Sequence, residues 1–294
     1  MTDHLKGTLI TTLGVLILTP DGLLTRLIAT DSWTLTFWRG VLSGLGMSLI
    51  LLLLYRRQFW PRLRALGWPG FWVGLVFAIG TVGFVLAITN TTVANTLIIV
   101  NTTPVFAALF AWLFLGERVS PRTWLVIGLV LLSIVHVALV GGPAGGRLLG
   151  NLAALVTAVA MAISLSITRR YKERDMVPAM ALGGFLTALL AAPLATPTHV
   201  SGADMGYLAL QGFLILPAAF GLMYIGPRYI PAPEVSLLSL LEAVIGPVWV
   251  WLALGEKPEP ATLIGGGFII ALLAGNALIS LRETSPETAI TEIA

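Results

Sequence analysis

The segment Asn101–Pro121, NTTPVFAALFAWLFLGERVSP, returns in the chain 139 residues later without a gap. Trp112 falls on Trp251, Leu113 on Leu252, and Leu115, Gly116 and Glu117 on Leu254, Gly255 and Glu256. Pro121, Thr123 and Gly128 fall on Pro260, Thr262 and Gly267, giving eight identities in the seventeen positions 112–128, with Arg118 over Lys257 as a similar pair. Internal repetition decides architecture, because each half then folds alike. In each copy an apolar helix runs up to a Gly, which takes the left-handed position past the helix end without a Cβ clash. Ser120 or Glu259 then caps a second helix, and Pro121 or Pro260 fits its first turn, where no N–H is needed. Each copy therefore reads as a tight hairpin of apolar helices with a polar corner.

What surrounds the corners is almost free of charge. Of 294 residues, 57% are hydrophobic and 11% charged, where a soluble domain carries about 25% charged; the mean hydropathy is +0.93. Apolar runs recur, each of the ~20 residues that carry a helix across a ~30 Å hydrocarbon core. The fold class predicted is an all-α membrane protein, since a barrel would show alternating ten-residue segments. Ten transmembrane helices are predicted, at roughly 6–26, 33–54, 68–88, 93–115, 122–140, 148–168, 176–195, 205–226, 233–254 and 260–281. The N-terminal run lacks a small-residue cleavage pattern and reads as a retained first span.

Basic residues near span ends set the orientation. With a cytoplasmic N-terminus, thirteen Lys and Arg fall inside, three (Arg26, Arg147 and Lys257) fall outside, and Arg39 lies within a span. Both termini are thus expected in the cytoplasm. Five spans per repeat is an odd number, so the second repeat enters the bilayer from the opposite side. The expected domains are 1–141 and 142–294, two inverted five-helix repeats around a central cavity, an arrangement that recurs in transporters with the substrate at the repeat junction. A duplicated scaffold without transport is the reading from another class.

Polar groups inside spans are the candidate site. Arg39, six residues into the second span, must face protein or water; it reads either as a counter-charge for a substrate carboxylate or as a snorkelling or carbonyl-paired structural residue. Glu242 is the acid nearest a span centre and reads as a ligand for a substrate amine, a proton carrier, or a buried neutral group beside Pro247. Asn101, Thr102 and Thr103 either line an aqueous cavity or serve as interhelical glue. Gly80 and Thr81 read as a narrow cavity wall. Trp38 is a candidate for the apolar part of a substrate, as are the deeper Trp72, Trp112, Trp249 and Trp251, although packing is the commoner use. Asp21, in TPDG, reads as an exposed partner of Arg26 or as part of an outer gate. Pro104, Pro217 and Pro247 should kink or open their helices. Gly40-x-x-x-Gly44, Gly70-x-x-x-Gly74 and Gly146-x-x-x-Gly150 are close-packing patterns.

Other chemistries lack their signals. The chain has no Cys, so thiolate metal sites and disulfides are excluded, and its three His are far apart in sequence. It carries no phosphate-binding loop, no HExxH and no Gly-x-Ser-x-Gly, so neither an enzyme nor a cofactor is expected. No filter-like repeat suggests a channel. The net charge of +3 speaks to topology and not to nucleic acid. The expected partners are a small molecule and the lipid bilayer, with a monomer favoured.

The two corner strings, PVFAALFAWLFLGERVSP and PVWVWLALGEKPEP, together with Trp38-Arg39-Gly40, resemble the drug/metabolite transporter superfamily and its EamA-like permeases over essentially the whole chain. The second copy departs from the pattern, with Ala243 where the family often has Pro after Glu, and Pro247 four residues on. Within the superfamily the general look is similar to bacterial aromatic amino acid exporters of the YddG type. That resemblance implies a basket of ten helices, a central cavity between the repeats and export of amino acids from the cytoplasm. The function expected is therefore an inner-membrane exporter of aromatic and other neutral amino acids working by alternating access, with Arg39 and Asn101–Thr103 holding the polar end of the substrate and Trp38 its side chain. A drug-like amphiphile or nucleotide derivative is the alternative cargo.

Overall fold

The computed structural model describes residues 3–116, 145–230, 235–236 and 238–255, with isolated positions between 121 and 132 and between 264 and 275. Every element among them is helical. In the first repeat these are α1 (Asp3–Leu18), α2 (Asp21–Leu27), α3 (Ser32–Tyr55), α4 (Phe59–Ala65), α5 (Gly67–Asn90), α6 (Val93–Val100) and α7 (Thr103–Leu115). The second contributes α8 (Gly145–Arg170), α9 (Pro178–Ala191), α10 (Gly202–Ala209), a π-helical turn at Leu210–Ile215, α11 (Leu216–Ile225) and α12 (Leu240–Leu254).

Among the described residues, six helical runs are long and apolar enough to cross a membrane, at 5–27, 32–65, 67–90, 95–114, 148–170 and 202–228, and α9 and α12 are shorter apolar helices. The six runs match six of the ten predicted spans, and the two shorter helices fall within two more, 176–195 and 233–254; the fifth and tenth, 122–140 and 260–281, lie largely outside the described residues.

Local chemistry explains where the helices stop. Gly116 and Gly255, the paired corner glycines, both end their helices in the left-handed region at φ +68°, a conformation that costs Gly no side-chain clash. The remaining corner residues, 117–120 and 256–260, including Glu117 and Glu256, lie outside the described residues. Asp31 caps α3 by accepting from the Trp33 and Thr34 backbone N–H groups at 3.0 and 2.9 Å. Thr92 caps α6 through the Asn95 N–H. Two spans are broken. Pro20 has no N–H to continue α1, so the chain restarts as α2 at Asp21. The fourth span breaks at Asn101–Thr102, between α6 and α7. Pro104 and Pro217 sit in the first turns of α7 and α11, while Pro247 is inside α12.

Helices pack across the repeats: α5 along α8, α1 along α11, α3 on α9, and α6 on α12. The repeat offset relates α1 to α8, α3 to α9, α5 to α10–α11 and α6–α7 to α12. The pairing is therefore unchanged when the two repeats are exchanged. The α3–α9 contact is close. A Cβ on Gly40 would lie 2.5 Å from the Ala188 N, and one on Gly184 would lie 2.5 Å from the Gly44 N. Small residues allow this backbone approach, as the Gly40–Gly44 pattern predicts.

The two ends of the bundle differ. At the basic end Asp175 pairs with Arg62 at 2.9 Å and Arg228 at 3.0 Å and accepts from the Tyr55 hydroxyl. At the opposite end Ser32 donates to Thr89, the Ala29 N–H to Asp204 and Arg26 to the Thr91 carbonyl.

Candidate functional site

A cavity lies between the repeats. The first repeat lines it with Leu18, Asp21, Arg39, Phe77, Gly80, Thr81, Phe84 and Val100, and the second with Thr157, Met161, Phe220 and Glu242. About 440 Å³ lies between these atoms, open mouth included.

The break at Pro20 builds its polar wall. By starting a new helix at Asp21 it puts a carboxylate in a first turn, where free N–H groups favour an anion. Asp21 faces Arg39 and accepts two hydrogen bonds from it, Nη1 to Oδ1 at 2.8 Å and Nη2 to Oδ2 at 2.7 Å. The side chains are 1% and 3% exposed. A bidentate pair is the geometry that makes two buried charges tolerable. Gln211, from the π-turn of the second repeat, donates from Nε2 to Asp21 Oδ1 at 2.8 Å, to the Asp21 carbonyl at 3.1 Å and to Thr25 Oγ1 at 2.7 Å. The Arg39 guanidinium also lies 5.3 Å from the centre of the Phe84 ring.

Glu242 sits in the first turn of α12 and is 8% exposed. Among the described residues no hydrogen bond or ion pair reaches its carboxylate, and Asp21 and Arg39 lie within electrostatic reach of it. Asp21 and Arg39 neutralise each other, which leaves Glu242 as the remaining ionisable side chain on the cavity wall. Phe77, Phe84 and Phe220 supply apolar surface, and Phe77 meets Phe220 edge to face at 4.9 Å.

Of the residues singled out in the sequence, Arg39, Gly80, Thr81 and Glu242 come together here. Gly80 lets α5 approach α8, its carbonyl accepting from Thr157 Oγ1 at 3.0 Å, and Thr81 donates to the Phe77 carbonyl. Trp38 is elsewhere: it packs beside Ile28, Leu35, Val85 and Leu208 and donates from Nε1 to the Pro197 carbonyl. Asn101, Thr102 and Thr103 are also off the lining. They donate to the carbonyls of Leu97, Ile99 and Val100, which is how short polar side chains stabilise a break in a helix. Trp72, Trp112, Trp249 and Trp251 face outward, 41–50% exposed.

Two sequence expectations need correction. Asp21 is not an exposed partner of Arg26; it is buried against Arg39, and Arg26 donates to the Thr91 carbonyl instead. Arg39 is neither a snorkelling nor a carbonyl-paired cation, because Asp21 takes both of its terminal nitrogens. Two opposite charges in otherwise dry spans are the signal for this pair. Gln211 and the three phenylalanines carry no such signal.

The family model for the EamA-like transporter family matches residues 5–139 and 148–279, once in each half. This chain belongs to the EamA-like transporter family. It is a multi-pass membrane transporter built from two EamA repeats, and its family is one of transporters and not of enzymes. The pseudopaline exporter CntI of Pseudomonas aeruginosa, strains UCBPP-PA14 and PAO1, is 28% identical over 256 residues, covering 82% of this chain and 84% of the relative. The uncharacterized transporter YdfC of Bacillus subtilis (strain 168) is 24% identical over 205 residues, or 65% of this chain and 67% of the relative. One solved structure ("Crystal structure of protein") superposes with a TM-score of 0.71 at 21% identity, over 93% of this chain and 98% of the other, and so shares the fold.

Proposed function

We propose that this EamA transporter exports amino acids, aromatic and other neutral ones, from the bacterial cytoplasm across the inner membrane. The observation that carries the reading is the cavity at the repeat junction, with one unpartnered acid and three phenyl rings drawn from both halves. The ammonium group of the cargo meets Glu242. Its side chain lies against Phe77, Phe84 and Phe220, and its carboxylate turns toward the Arg39 side of the wall. Transport proceeds by alternating access between two inverted repeats of five helices each, ten in all. The exchange-invariant helix pairing supports that symmetry. The basic end faces the cytoplasm by the positive-inside rule. An exporter among the relatives supports the direction of transport. Glu242 is also the group placed to carry a proton through the cycle.

One observation favours a second cargo. Arg39 is committed to Asp21, so a cationic amphiphile without a carboxylate satisfies the same acid and the same rings. Purified protein in liposomes separates the two. Aromatic amino acids should move faster than in empty vesicles, and tryptophan should compete where cationic dyes do not. Competition by dyes alone selects the amphiphile, and no flux above empty vesicles for either removes the export reading.

A further inference from the structure

Asp21, Thr25 and Arg39 all belong to the first repeat, yet the side chain that binds Asp21 and Thr25 together comes from the second. Gln211 is fully buried. It projects from the π-helical turn that joins α10 to α11, and such turns are wider than an α-helix and recur where a side chain must be re-aimed. The neighbouring Gly212 touches α3 closely, for a Cβ there would lie 2.7 Å from the Leu42 Cβ. Among the described residues Gln211 is the one second-repeat side chain hydrogen-bonded to the Asp21–Thr25–Arg39 group. Next to it, toward the end opposite the basic one, lies an apolar layer of Ile28, Leu35 and Val85 from the first repeat and Leu208 from the second.

The Gln211 network is not fully satisfied. Among the described residues Arg39 Nε and Gln211 Oε1 are buried without a partner, and buried polar groups lacking partners favour states in which water reaches them. A network in which every donor and acceptor is matched would lack that bias.

We propose that Gln211 is a positioning residue of the transport site, pinning α2 of the first repeat, and through Asp21 and Arg39 also α3, to the π-turn of the second and so holding shut the end of the cavity opposite the basic end. This rests on the alternating-access reading, but its test needs no cargo. The chain has no Cys, so a single Leu35→Cys in the full-length protein reports on that closure when a membrane-impermeant maleimide is added to reconstituted vesicles. A Met176→Cys in the apolar cluster of the basic end reports on general loosening. Gln211→Leu should speed labelling at Leu35→Cys at least fivefold and leave Met176→Cys unchanged, with Gln211→Asn in between. Unchanged labelling at Leu35→Cys, or an equal rise at both positions, overturns the proposal. If Gln211→Leu does not fold, Thr25→Val removes one acceptor of the pin and should give the same one-sided rise; folded Thr25→Val protein without it is equally decisive against. One-sided labelling with no amino acid flux keeps the pin and rejects the cargo, so the two readings fail separately.

Discussion

Asp21 holds Arg39 by both carboxylate oxygens, at 2.8 and 2.7 Å, in a wall that leaves neither side chain more than 3% exposed. Removing one member leaves a buried charge uncompensated, which costs about 3–5 kcal/mol. Asp21→Asn and Arg39→Gln should each lower the melting temperature in detergent sharply, and the double variant should recover part of the loss. Arg39→Lys should not substitute, because an ammonium cannot make the two parallel bonds. Losses that simply add in the double variant would show that the pair is not the unit.

Glu242 is the acid left over once Asp21 is taken. Glu242→Gln should cut flux driven by a pH gradient at least tenfold with the melting temperature kept, since no partner among the described residues is lost. Normal pH-driven flux in this variant removes Glu242 as proton carrier.

The α3–α9 seam should tolerate no added carbon. At Gly40 a Cβ would sit 2.5 Å from the Ala188 N and 2.7 Å from the Gly184 O, both backbone atoms, so Gly40→Ala should cost about 1–3 kcal/mol by overpacking. A Cβ added at Gly206, in α10, would meet nothing within 4 Å. Gly206→Ala should therefore be neutral or stabilising by up to about 1 kcal/mol through helix propensity. Equal thermal shifts for the two would contradict the packing.

Asp31, at the start of α3, gives a pH dependence of stability. Burial pushes its carboxyl up, but hydrogen bonds from the Thr34 side chain, the Thr34 and Trp33 N–H groups and the Thr196 side chain outweigh this and hold it below the ordinary value of 3.8. A group lowered on folding contributes stability above its unfolded value and loses it as pH falls through the folded one. Asp31→Ala should cost about 1 kcal/mol at neutral pH. The difference from the unsubstituted chain should shrink below pH 3.8. A gap between the two melting curves that is constant down to acid pH excludes the cap as its cause.

Some of this molecule can be read in its sequence because the bilayer makes the signal coarse. Uncharged runs of about 20 residues mark helices whatever their packing, and Gly116 and Gly255 mark their ends because the left-handed region excludes most other residues. Arg39 and Glu242 stand out because charge in lipid is costly. The partner of Arg39 is harder to read. Asp21 lies five residues from Arg26 and eighteen from Arg39, and only the restart of the helix after Pro20 turns it inward. Asn101, Thr102 and Thr103 look like a lining on spacing alone, yet their hydrogen bonds serve the helix break beside them. Phe77, Phe84 and Phe220 cannot be told from lipid-facing rings, since in spans that are apolar on every side periodicity does not say which face is inside.

The breaks at Thr19–Pro20 and Asn101–Thr102 fall beside Leu18, Asp21 and Val100, all on the cavity wall. A rod with a knee can swing one shank while the other keeps its neighbours. The first and fourth spans each have such a knee beside the cavity. Under the alternating access proposed above, a handful of backbone rotations at two joints exchanges one opening of the cavity for the other.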